Sequence, residues 1–226
     1  MKRTIAILGK SRKLSGYCVA GIDMKTNEWV RLEHPKYSSL SHGDLLISGN
    51  KECEVLDVVE VQCLDNPSNK PYQPENVTLN TRYNLRFLYK TSWSDILPKI
   101  KLSNEENGLI LGIDSRFDTV DNIAKLNDMS SLQLIKVSDL SIYSIYNPNS
   151  FYDTIKASFT YGGKHWSSFS VTDFAYRNIG NSIKLKSAYL VVSRGLPFKP
   201  SYQKESYHYS LIGQVIPDPA IYKTAS

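Results

Sequence analysis

The sequence predicts a mainly β protein with two β-rich units, residues 1–80 and 131–226, joined by a partly helical connector at 81–130. Three observations favour this fold class. Short apolar and β-branched runs recur along both ends of the chain, separated by Gly, Asn and Ser turns. The middle of the chain spaces its apolar residues at near-helical intervals. Strands so close together indicate small barrels or meanders, because parallel sheets need long crossover connections.

In the first unit, each predicted strand is a short apolar or alternating segment. The first of them is rich in isoleucine, and the third alternates apolar and polar residues after the turn residues Thr26 and Asn27. The predicted strands of this unit are 4–8, 17–22, 29–32, 45–47 and 55–61.

The connector spaces its apolar residues at near-helical intervals in 84–89 and 91–100, and 118–129 is a second helical candidate. Thr91 or Ser92 is suited to cap a helix that begins there, and Pro98 limits it. Strand patterning then returns in the second unit. The predicted strands there are 132–137, 141–146, 154–161, 166–171, 188–193 and 207–216.

Length and composition exclude several classes of protein. The chain has 226 residues, with 41% hydrophobic and 22% charged residues, which is typical of globular proteins and not of disordered ones. The apolar run at 5–8 is too short for a signal peptide, and no run approaches the ~18 apolar residues of a membrane span. Three cysteines, Cys18, Cys53 and Cys63, form no even disulfide framework. We therefore expect a soluble, cytoplasmic protein.

The net charge is +5, and the cations are concentrated at the two ends of the chain. Residues 1–25 carry six lysines and arginines against one acid, and residues 156–204 carry eight against one, while 105–128 is acidic. Fifteen tyrosines accompany them. The charge pattern indicates an anionic partner that contacts both ends, although scattered solvated lysines produce the same pattern.

The segment 9–16 is predicted to be a loop that surrounds a phosphate. Its cations and hydroxyls belong to Lys10, Ser11, Arg12 and Lys13, and glycines flank them. It is not a nucleoside-triphosphatase phosphate loop, because Thr4 occupies the position of the first glycine and a strand follows in place of a helix. The alternative is an exposed basic hairpin loop.

Aromatic residues beside cations are candidates for stacking on bases. Trp29 and Arg31 alternate on one predicted strand and so share a face, the alternative being a core Trp29 with Arg31 extending from it. In the second unit, Tyr161 and Trp166 flank a predicted hairpin turn at Gly162-Gly163. Basic patches with interleaved aromatics are typical of single-stranded nucleic acid or nucleotide binding, whereas small barrels also use aromatics as core.

Evidence for catalysis is weak. His165 and Asp173, predicted on neighbouring strands, are candidates for acid–base hydrolysis of a phosphodiester, although a surface or structural histidine is the commoner role. The cysteines and histidines lack the spacing of a metal site. No cofactor and no metal are predicted.

Several short motifs follow one another along nearly the whole chain. They are Lys10-Ser11-Arg12-Lys13 leading into 16–21, Glu28-Trp29-Val30-Arg31, Tyr72-Gln73-Pro74-Glu75-Asn76, Tyr161-Gly162-Gly163, Ser170-Val171-Thr172-Asp173, Val192-Ser193-Arg194-Gly195, and the closing strand 209–216. In this order they resemble the dual OB-containing domain family. One departure is Arg194, which stands where the family has leucine.

The resemblance implies two oligonucleotide/oligosaccharide-binding (OB) barrels packed together. It also implies a role in bacterial defence or phage counter-defence, where such domains are presumed to bind nucleic acid or nucleotides. The motif positions add Thr172, Asp173, Ser193 and Arg194 to the candidate ligand residues, although Thr172-Asp173 is equally suited to a capping or turn role.

The sequence therefore predicts non-catalytic binding of an anionic nucleotide-type ligand, either a nucleotide or single-stranded nucleic acid. One alternative is a sponge that sequesters a small nucleotide second messenger in a pocket between the barrels. Further alternatives are a phosphodiester or nucleotide hydrolase and a scaffold for protein partners. No membrane partner is expected, and a homo-oligomer is left open.

Overall fold

The computed structural model divides the chain into two compact units, residues 1–101 and 102–226. It describes residues 1–48, 50–67, 70–102, 107–148, 153–201 and 203–222. Within these residues, no helix is long and apolar enough to cross a membrane.

The first unit is built almost entirely from strands. They are β1 (Lys2–Lys13), β2 (Gly16–Asp23), β3 (Trp29–Glu33), β4 (Leu46–Ser48), β5 (Lys51–Glu52), β6 (Asp57–Pro67), β7 (Asn76–Leu79) and β8 (Arg86–Lys90). One short helix, α1 (Trp93–Ile96), follows them, and 3-10 turns lie at Gly43–Leu45 and Leu97–Lys99.

Five of these strands close into a barrel, here called barrel 1. The strand order is β1-β2-β3-β7-β6, and β6 pairs back onto β1. The pairing of β3 with β7 is parallel, and the other pairings are antiparallel. Apolar side chains such as Ile5, Val19, Val30 and Val59 fill the interior.

The close approach of β1 and β2 depends on Gly21. A Cβ atom at this position would lie 2.0 Å from the carbonyl oxygen of Ala6. Glycine is therefore required where the two backbones meet.

The prediction of a phosphate-binding loop at 9–16 is wrong in its local structure. Residues 9–13 belong to β1, which pairs with β2 as far as Lys13 and Gly16. The turn consists of Leu14, with φ 54°, and Ser15. The hairpin register extends through the basic run, so these residues use their backbone groups in the sheet and not around a ligand.

The second unit repeats the architecture. Its strands are β9 (Phe117–Thr119), β10 (Leu132–Ile145), β11 (Thr154–Tyr161), β12 (Lys164–Val171), β13 (Ile183–Arg194) and β14 (Tyr207–Pro217). The helix α2 (Val120–Ile123) follows β9, and a 3-10 turn lies at Phe174–Tyr176.

Strands β10 to β14 form a second closed barrel, here called barrel 2. The order is β10-β11-β12-β14-β13, β13 pairs with β10, and β12 pairs with β14 in parallel. The strand β9 adds to the outer edge of β14. Phe159, Phe169, Leu190 and Ile212 are among the side chains that form its core.

Two predictions for the second unit have clear outcomes. The hairpin at Tyr161–Lys164 is confirmed, and both turn glycines have positive φ, 56° for Gly162 and 71° for Gly163. The two strands predicted at 132–137 and 141–146 are instead one strand, β10. A shift in register between Ser138 and Ser141, with φ 52° at Asp139, lets the strand bend and continue.

Both barrels have the same topology: five strands in the order 1-2-3-5-4, with the third and fifth parallel. This closed Greek-key arrangement is the OB fold. The mainly β fold class with two OB-like barrels is confirmed.

Residues 81–130, predicted as a connector, divide between the two units. β8 pairs with β6 of the first unit, and β9 pairs with β14 of the second. The helices are shorter than predicted, one turn each, and are capped by Ser92 and Thr119. Pairing to a sheet edge overrides the near-helical spacing at 86–90, because it satisfies the backbone groups of this segment that face β6.

Candidate functional site

A shallow pocket lies on the outer face of barrel 1. It is formed by the end of β1, by β2, β3 and β7, and by the segment that precedes β7. Its volume is about 250 Å³, part of which is open to solvent. The pocket is shallow and partly open, so it contacts only part of a ligand. Its charged and amide side chains are Lys13, Arg31, Glu33, Lys70, Gln73 and Asn76.

Arg31 lies in the wall of this pocket. Val30 and Leu32 point into the core, so Arg31 faces outward from β3, yet it is only 3% exposed. Its Nη2 donates to Glu75 Oε1 at 3.1 Å and its Nε to the same oxygen at 3.3 Å. The backbone N–H of Arg31 also donates to the carbonyl of Glu75 at 3.0 Å. The segment that carries Glu75 therefore covers Arg31 and neutralises its charge.

Glu33 is the centre of a second charged cluster. Its Oε2 accepts from Lys70 Nζ at 2.6 Å and from Asn76 Nδ2 at 2.9 Å, and its Oε1 accepts from Thr78 Oγ1 at 3.1 Å. Burial raises the pKa of Glu33, but these hydrogen bonds outweigh burial and hold the pKa below its usual value. Glu33 is therefore ionised, and Lys70 is paired with it.

Lys13 differs from the other two cations of the pocket. No hydrogen bond or ion pair joins its ammonium group to any residue that the structure describes. Burial lowers the pKa of Lys13; Cys18 and Glu33 raise it, whereas Lys70 and Arg31 lower it further. The pocket therefore contains a half-buried cation whose charge is not neutralised by a direct contact.

Asn76 adds an unused acceptor. The residue is 7% exposed, and its Nδ2 donates to Glu33 Oε2 and, at 3.2 Å, to Gln73 Oε1. These two acceptors fix the orientation of the amide, because the opposite orientation would bring three oxygens together. Among the described residues, the buried Oδ1 of Asn76 has no hydrogen-bond partner.

Aromatic rings complete the lining. Tyr17 and His34 both line the pocket. The His34 ring is fixed by hydrogen bonds from the backbone N–H groups of Lys36 and Tyr37, at 3.0 and 3.1 Å, to its Nδ1. The Tyr17 ring lies 5.1 Å from the ammonium of Lys10. The pocket thus combines cations, an acceptor and aromatic surface.

The three cysteines differ in accessibility. Cys18 is half-buried and lines the pocket, where its Sγ accepts from Arg31 Nη1 at 3.5 Å. Cys53 and Cys63 are buried in the core of barrel 1. Burial raises the pKa of Cys53 to about 12 and also raises that of Cys63. Cys18 is therefore the thiol suited to report on the pocket.

The other residues of the basic run take different positions. Lys10 is buried, and its Nζ donates to Glu52, to Glu54 Oε1 at 3.2 Å and to the carbonyl of Cys53 at 3.0 Å. These contacts give Lys10 a structural role.

Ser11 and Arg12 follow this buried lysine along the strand. Ser11 is buried in β1, and Arg12 is exposed. Of the predicted loop residues, only Lys13 lines the pocket.

Trp29 shares the outward face of β3 with Arg31, as predicted, and is half-buried. The two are not brought together at the pocket, which Arg31 lines and Trp29 does not.

Two predicted stacking residues of the second unit have almost no exposed surface. Tyr161 is 2% exposed and Trp166 is 4% exposed, and both belong to the core of barrel 2. The Trp166 Nε1 donates to the carbonyl of Tyr161 at 3.3 Å. Their rings pack against Phe169 and its neighbours, so the alternative interpretation, aromatics as core, holds at these positions.

Thr172 and Asp173 follow β12 in the chain, and hydrogen bonds join them to β14. Thr172 Oγ1 donates to the carbonyl of Ile212 at 3.1 Å. Asp173 accepts from the backbone N–H groups of Ala175 and Val215 and from Gln214 Nε2, at 2.8–3.0 Å. Burial raises the pKa of Asp173, and the backbone hydrogen bonds partly offset the rise. The pair caps a turn and ties it to the barrel.

Ser193 and Arg194 end β13. Ser193 is half-buried. Arg194 is 0% exposed, and its Nη2 donates to the carbonyl of Leu111 within the same unit. This arginine therefore lies inside the unit, where a ligand in solvent does not reach it.

The predicted catalytic pair is not formed. His165 lies near the start of β12 and Asp173 lies just beyond its end, on the same strand and not on neighbouring strands. Eight residues of extended chain separate them by roughly 26 Å. Among the described residues there is also no group of three or more His, Cys, Asp or Glu side chains placed to hold a metal ion.

Sequence reasoning missed Glu33, Lys70, Gln73, Glu75 and Asn76 as site residues. A signal was present for three of them, since Gln73, Glu75 and Asn76 belong to a motif that was used only for the resemblance. Lys70 and Glu33 are 37 residues apart in the sequence, and they become neighbours because β3 pairs in parallel with β7.

The fold and the pocket define a class of protein. In an OB barrel, the face of the second and third strands, with the loops between strands 1–2 and 4–5, binds ligands. In barrel 1, β2, β3 and the segment before β7 line the pocket, together with the end of β1, the start of β7 and residues 34–40. The chain is thus a double OB-fold protein with a polar pocket on the ligand face of barrel 1.

The chain belongs to the dual OB-containing domain family, whose model matches residues 3–215. A search of curated proteins and a search of solved structures each gave no match.

Proposed function

We propose that the protein binds an anionic nucleotide-type ligand, without chemical conversion, in the pocket of barrel 1. One observation carries the proposal: Lys13 is a half-buried cation on the ligand face of an OB barrel, without a direct carboxylate or carbonyl partner among the described residues. Desolvating an ammonium group is costly unless something compensates it. A ligand phosphate at Lys13 supplies that compensation.

The neighbouring ion pairs support this assignment. Arg31 is held by Glu75 and Lys70 by Glu33, so both cations have fixed positions and largely neutralised charges. Lys13 is the cation of the pocket that remains available for a direct contact.

The aromatic rings favour a nucleotide over inorganic phosphate, because a phosphate alone contacts Lys13 and leaves the rings unused. Tyr17 and His34 provide rings against which a base or sugar can pack.

Binding without catalysis agrees with the fold, because OB domains are typically binding modules. The acid and base needed for the hydrolase alternative, Asp173 and His165, are separated along one strand. From the family membership we also propose a role in bacterial defence or phage counter-defence.

A second candidate is a sponge that sequesters a small nucleotide second messenger. The observation that favours it is that the pocket is confined to one part of the barrel 1 surface, which suits a small ligand better than a long strand. A sponge releases its ligand unchanged. Denaturing the protein after incubation with labelled nucleotides and recovering intact ligand supports both binding proposals, whereas recovery of a converted product contradicts them.

A thermal-shift screen tests the proposal. Wild-type protein, Lys13→Glu and Lys25→Glu are each melted with mononucleotides, cyclic dinucleotides, short oligonucleotides and inorganic phosphate. Lys25 is an exposed residue of the β2–β3 turn, so its variant makes the same change in net charge away from the pocket. We expect at least one nucleotide to raise the melting temperature of wild type and of Lys25→Glu but not of Lys13→Glu. Equal shifts of all three proteins by a mononucleotide or a cyclic dinucleotide, or no shift with any nucleotide, would contradict it.

A further inference from the structure

We propose that barrel 2 carries a second, separate binding surface for the unpaired bases of single-stranded nucleic acid. The surface is a cluster of four aromatic rings, Phe117, Phe198, Tyr207 and Tyr209, here called the aromatic platform. It lies on barrel 2 and shares no residue with the pocket of barrel 1. It therefore goes beyond the function proposed for that pocket and is tested independently of it.

The platform arises from strand alternation. On β14, His208, Ser210 and Ile212 are buried, so Tyr207 and Tyr209 face outward. β9 pairs with this strand and places Phe117 opposite Tyr209.

The fourth ring belongs to the segment between β13 and β14. There, Phe198 bridges to Tyr207 through two backbone hydrogen bonds of 2.9 Å. This segment is the loop between strands 4 and 5 of the barrel, which is one of the ligand-binding loops of OB folds.

The rings contact one another and leave aromatic surface in solvent. The Phe117 ring centroid lies 5.6 Å from that of Tyr207 and 5.4 Å from that of Tyr209, and Tyr209 lies 6.4 Å from Phe198. Phe198 is 60% exposed, and the other three are half-buried. The mutual contacts hold the rings in place, so little conformational freedom is lost when a base stacks on them.

One cation, Arg116, lies beside the rings, and a second, Lys156, lies near Arg116 on the outward face of the barrel. The Arg116 guanidinium carbon lies 5.4 Å from the Phe117 centroid, and Nη1 donates to the carbonyl of Ser168 at 3.1 Å. Lys156 on β11 donates to Ser170 Oγ at 2.8 Å. Neither forms an ion pair with a described carboxylate. Burial lowers the pKa of Lys156, and Arg116 lowers it further, so the two positive charges lie close enough to repel each other.

The strand register places these groups on one continuous face. Lys156 pairs with Ser170, and Ser170 pairs with Leu211, which follows Tyr209 on the outward side of β14. The nearest acid of β9, Asp118, is turned away from the platform. Its Oδ1 accepts from the Thr119 N–H at 2.7 Å and from Asn122 Nδ2 at 2.8 Å.

The cations and the aromatic rings together indicate which kind of partner binds the platform. A purely apolar partner would leave Arg116 and Lys156 without compensation, and inorganic phosphate would not use the rings. A single strand supplies both a phosphate for each cation and a base face for each ring. The second and third strands of the barrel contribute Lys156, Ser168 and Ser170, as expected for an OB ligand face.

Fluorescence anisotropy with labelled oligothymidylate of about 12 nucleotides tests the platform. We expect Phe198→Ala and Tyr209→Ala each to weaken binding about tenfold, because each removes a stacking contact. Tyr146→Ala is the matched control, since Tyr146 is an aromatic of the same unit, 79% exposed, that lies at the end of β10. Circular dichroism of each variant verifies the fold, and Phe198 is exposed enough to be replaced without disturbing the core.

A charge variant gives a second readout. Lys156→Gln should reduce the slope of log affinity against log salt by about 0.7, the value for one phosphate contact on a single strand. An unchanged slope together with unchanged affinity of Phe198→Ala would overturn the proposal. So would a folded wild-type protein that binds no oligonucleotide, which would leave a protein partner as the occupant.

The outcome is distinguishable from failure of the barrel 1 proposal. Oligothymidylate binding that survives Lys13→Glu but is weakened by Tyr209→Ala supports the platform, whatever the nucleotide screen gives. Binding that is lost in Lys13→Glu and unaffected by Tyr209→Ala places the strand in barrel 1 and overturns the platform.

Discussion

Arg31 on β3 and Glu75 in the segment before β7 form a buried ion pair, with Nη2 and Oε1 3.1 Å apart and both side chains less than a tenth exposed. The backbone N–H of Arg31 donates to the carbonyl of the same glutamate. The pair therefore fixes the segment that carries Gln73 and leads into Asn76, and so shapes the wall of the pocket.

Removing one member of this pair should destabilise barrel 1 strongly. Glu75→Ala leaves the Arg31 guanidinium buried without its carboxylate, and breaking a buried pair in this way typically costs about 3–5 kcal/mol. Urea denaturation followed by circular dichroism measures the loss. Arg31→Met combined with Glu75→Leu should recover much of the stability, because neither charge is then left buried. A loss below about 1 kcal/mol for Glu75→Ala would show that the pair contributes little.

Glu33 should make barrel 1 sensitive to acid. Its folded pKa lies below the usual 4.5, because hydrogen bonds from Lys70, Thr78 and Asn76 outweigh the effect of burial. A carboxylate with a depressed folded pKa contributes stability above its unfolded pKa and loses it as the pH falls through the folded pKa. Melting temperatures measured from neutral pH to about pH 3 should therefore fall more steeply in wild type than in Glu33→Gln. Parallel curves would contradict this assignment.

The affinity for the ligand should fall at alkaline pH, because Lys13 then loses its proton. Because burial lowers its pKa below 10.5, the ammonium loses its proton earlier than an ordinary lysine. The anion binds the protonated form, so affinity should be constant below the pKa of Lys13 and fall above it. Titration calorimetry between about pH 8 and about pH 10, with the mononucleotide that gives the largest thermal shift, measures the fall. Lys13→Arg stays charged and should remove it; an equal fall in both proteins would assign the titration elsewhere.

Gly21 should not tolerate a side chain. The Cβ of Gly21→Ala would lie 2.0 Å from the Ala6 carbonyl oxygen, so β1 and β2 would have to separate. We expect a loss of at least about 3 kcal/mol by urea denaturation. Gly43→Ala is the matched control in the same unit, since its nearest neighbour, Ser41 Oγ, lies 3.7 Å from the added atom. Similar stabilities of the two variants would argue against the close approach.

Sequence patterns predicted the strands better than the site. Alternation located β2, β3, β11 and β14 to within a few residues, because one face of each strand is buried in a barrel. Patterns failed at 86–90, where near-helical spacing lies in a strand. The reason is that β8 pairs with β6, which is distant in the sequence, and the spacing of apolar residues within 86–90 does not indicate that pairing.

The cations predicted as ligand residues show the same limit of sequence-based prediction. Lys10, Lys13 and Arg194 are equivalent as charges in a sequence, yet Lys10 is bound by Glu52 and Glu54 and Arg194 is fully buried. Only Lys13 lines the pocket without a direct partner among the described residues. The difference depends on the register of β1 and on carboxylates more than 40 residues away in the chain.

The most direct measurement on the central claim is protection of Cys18 from alkylation. Cys18 lies in the pocket, whereas Cys53 and Cys63 are buried with raised pKa values and serve as internal references. Iodoacetamide labelling of each thiol is followed by mass spectrometry, with and without a saturating nucleotide from the thermal-shift screen. The pocket assignment predicts that the nucleotide slows labelling of Cys18 in wild type and in Lys25→Glu, and leaves it unchanged in Lys13→Glu. A nucleotide that binds the protein yet leaves Cys18 labelling unaffected, or protects it equally in Lys13→Glu, would contradict the claim.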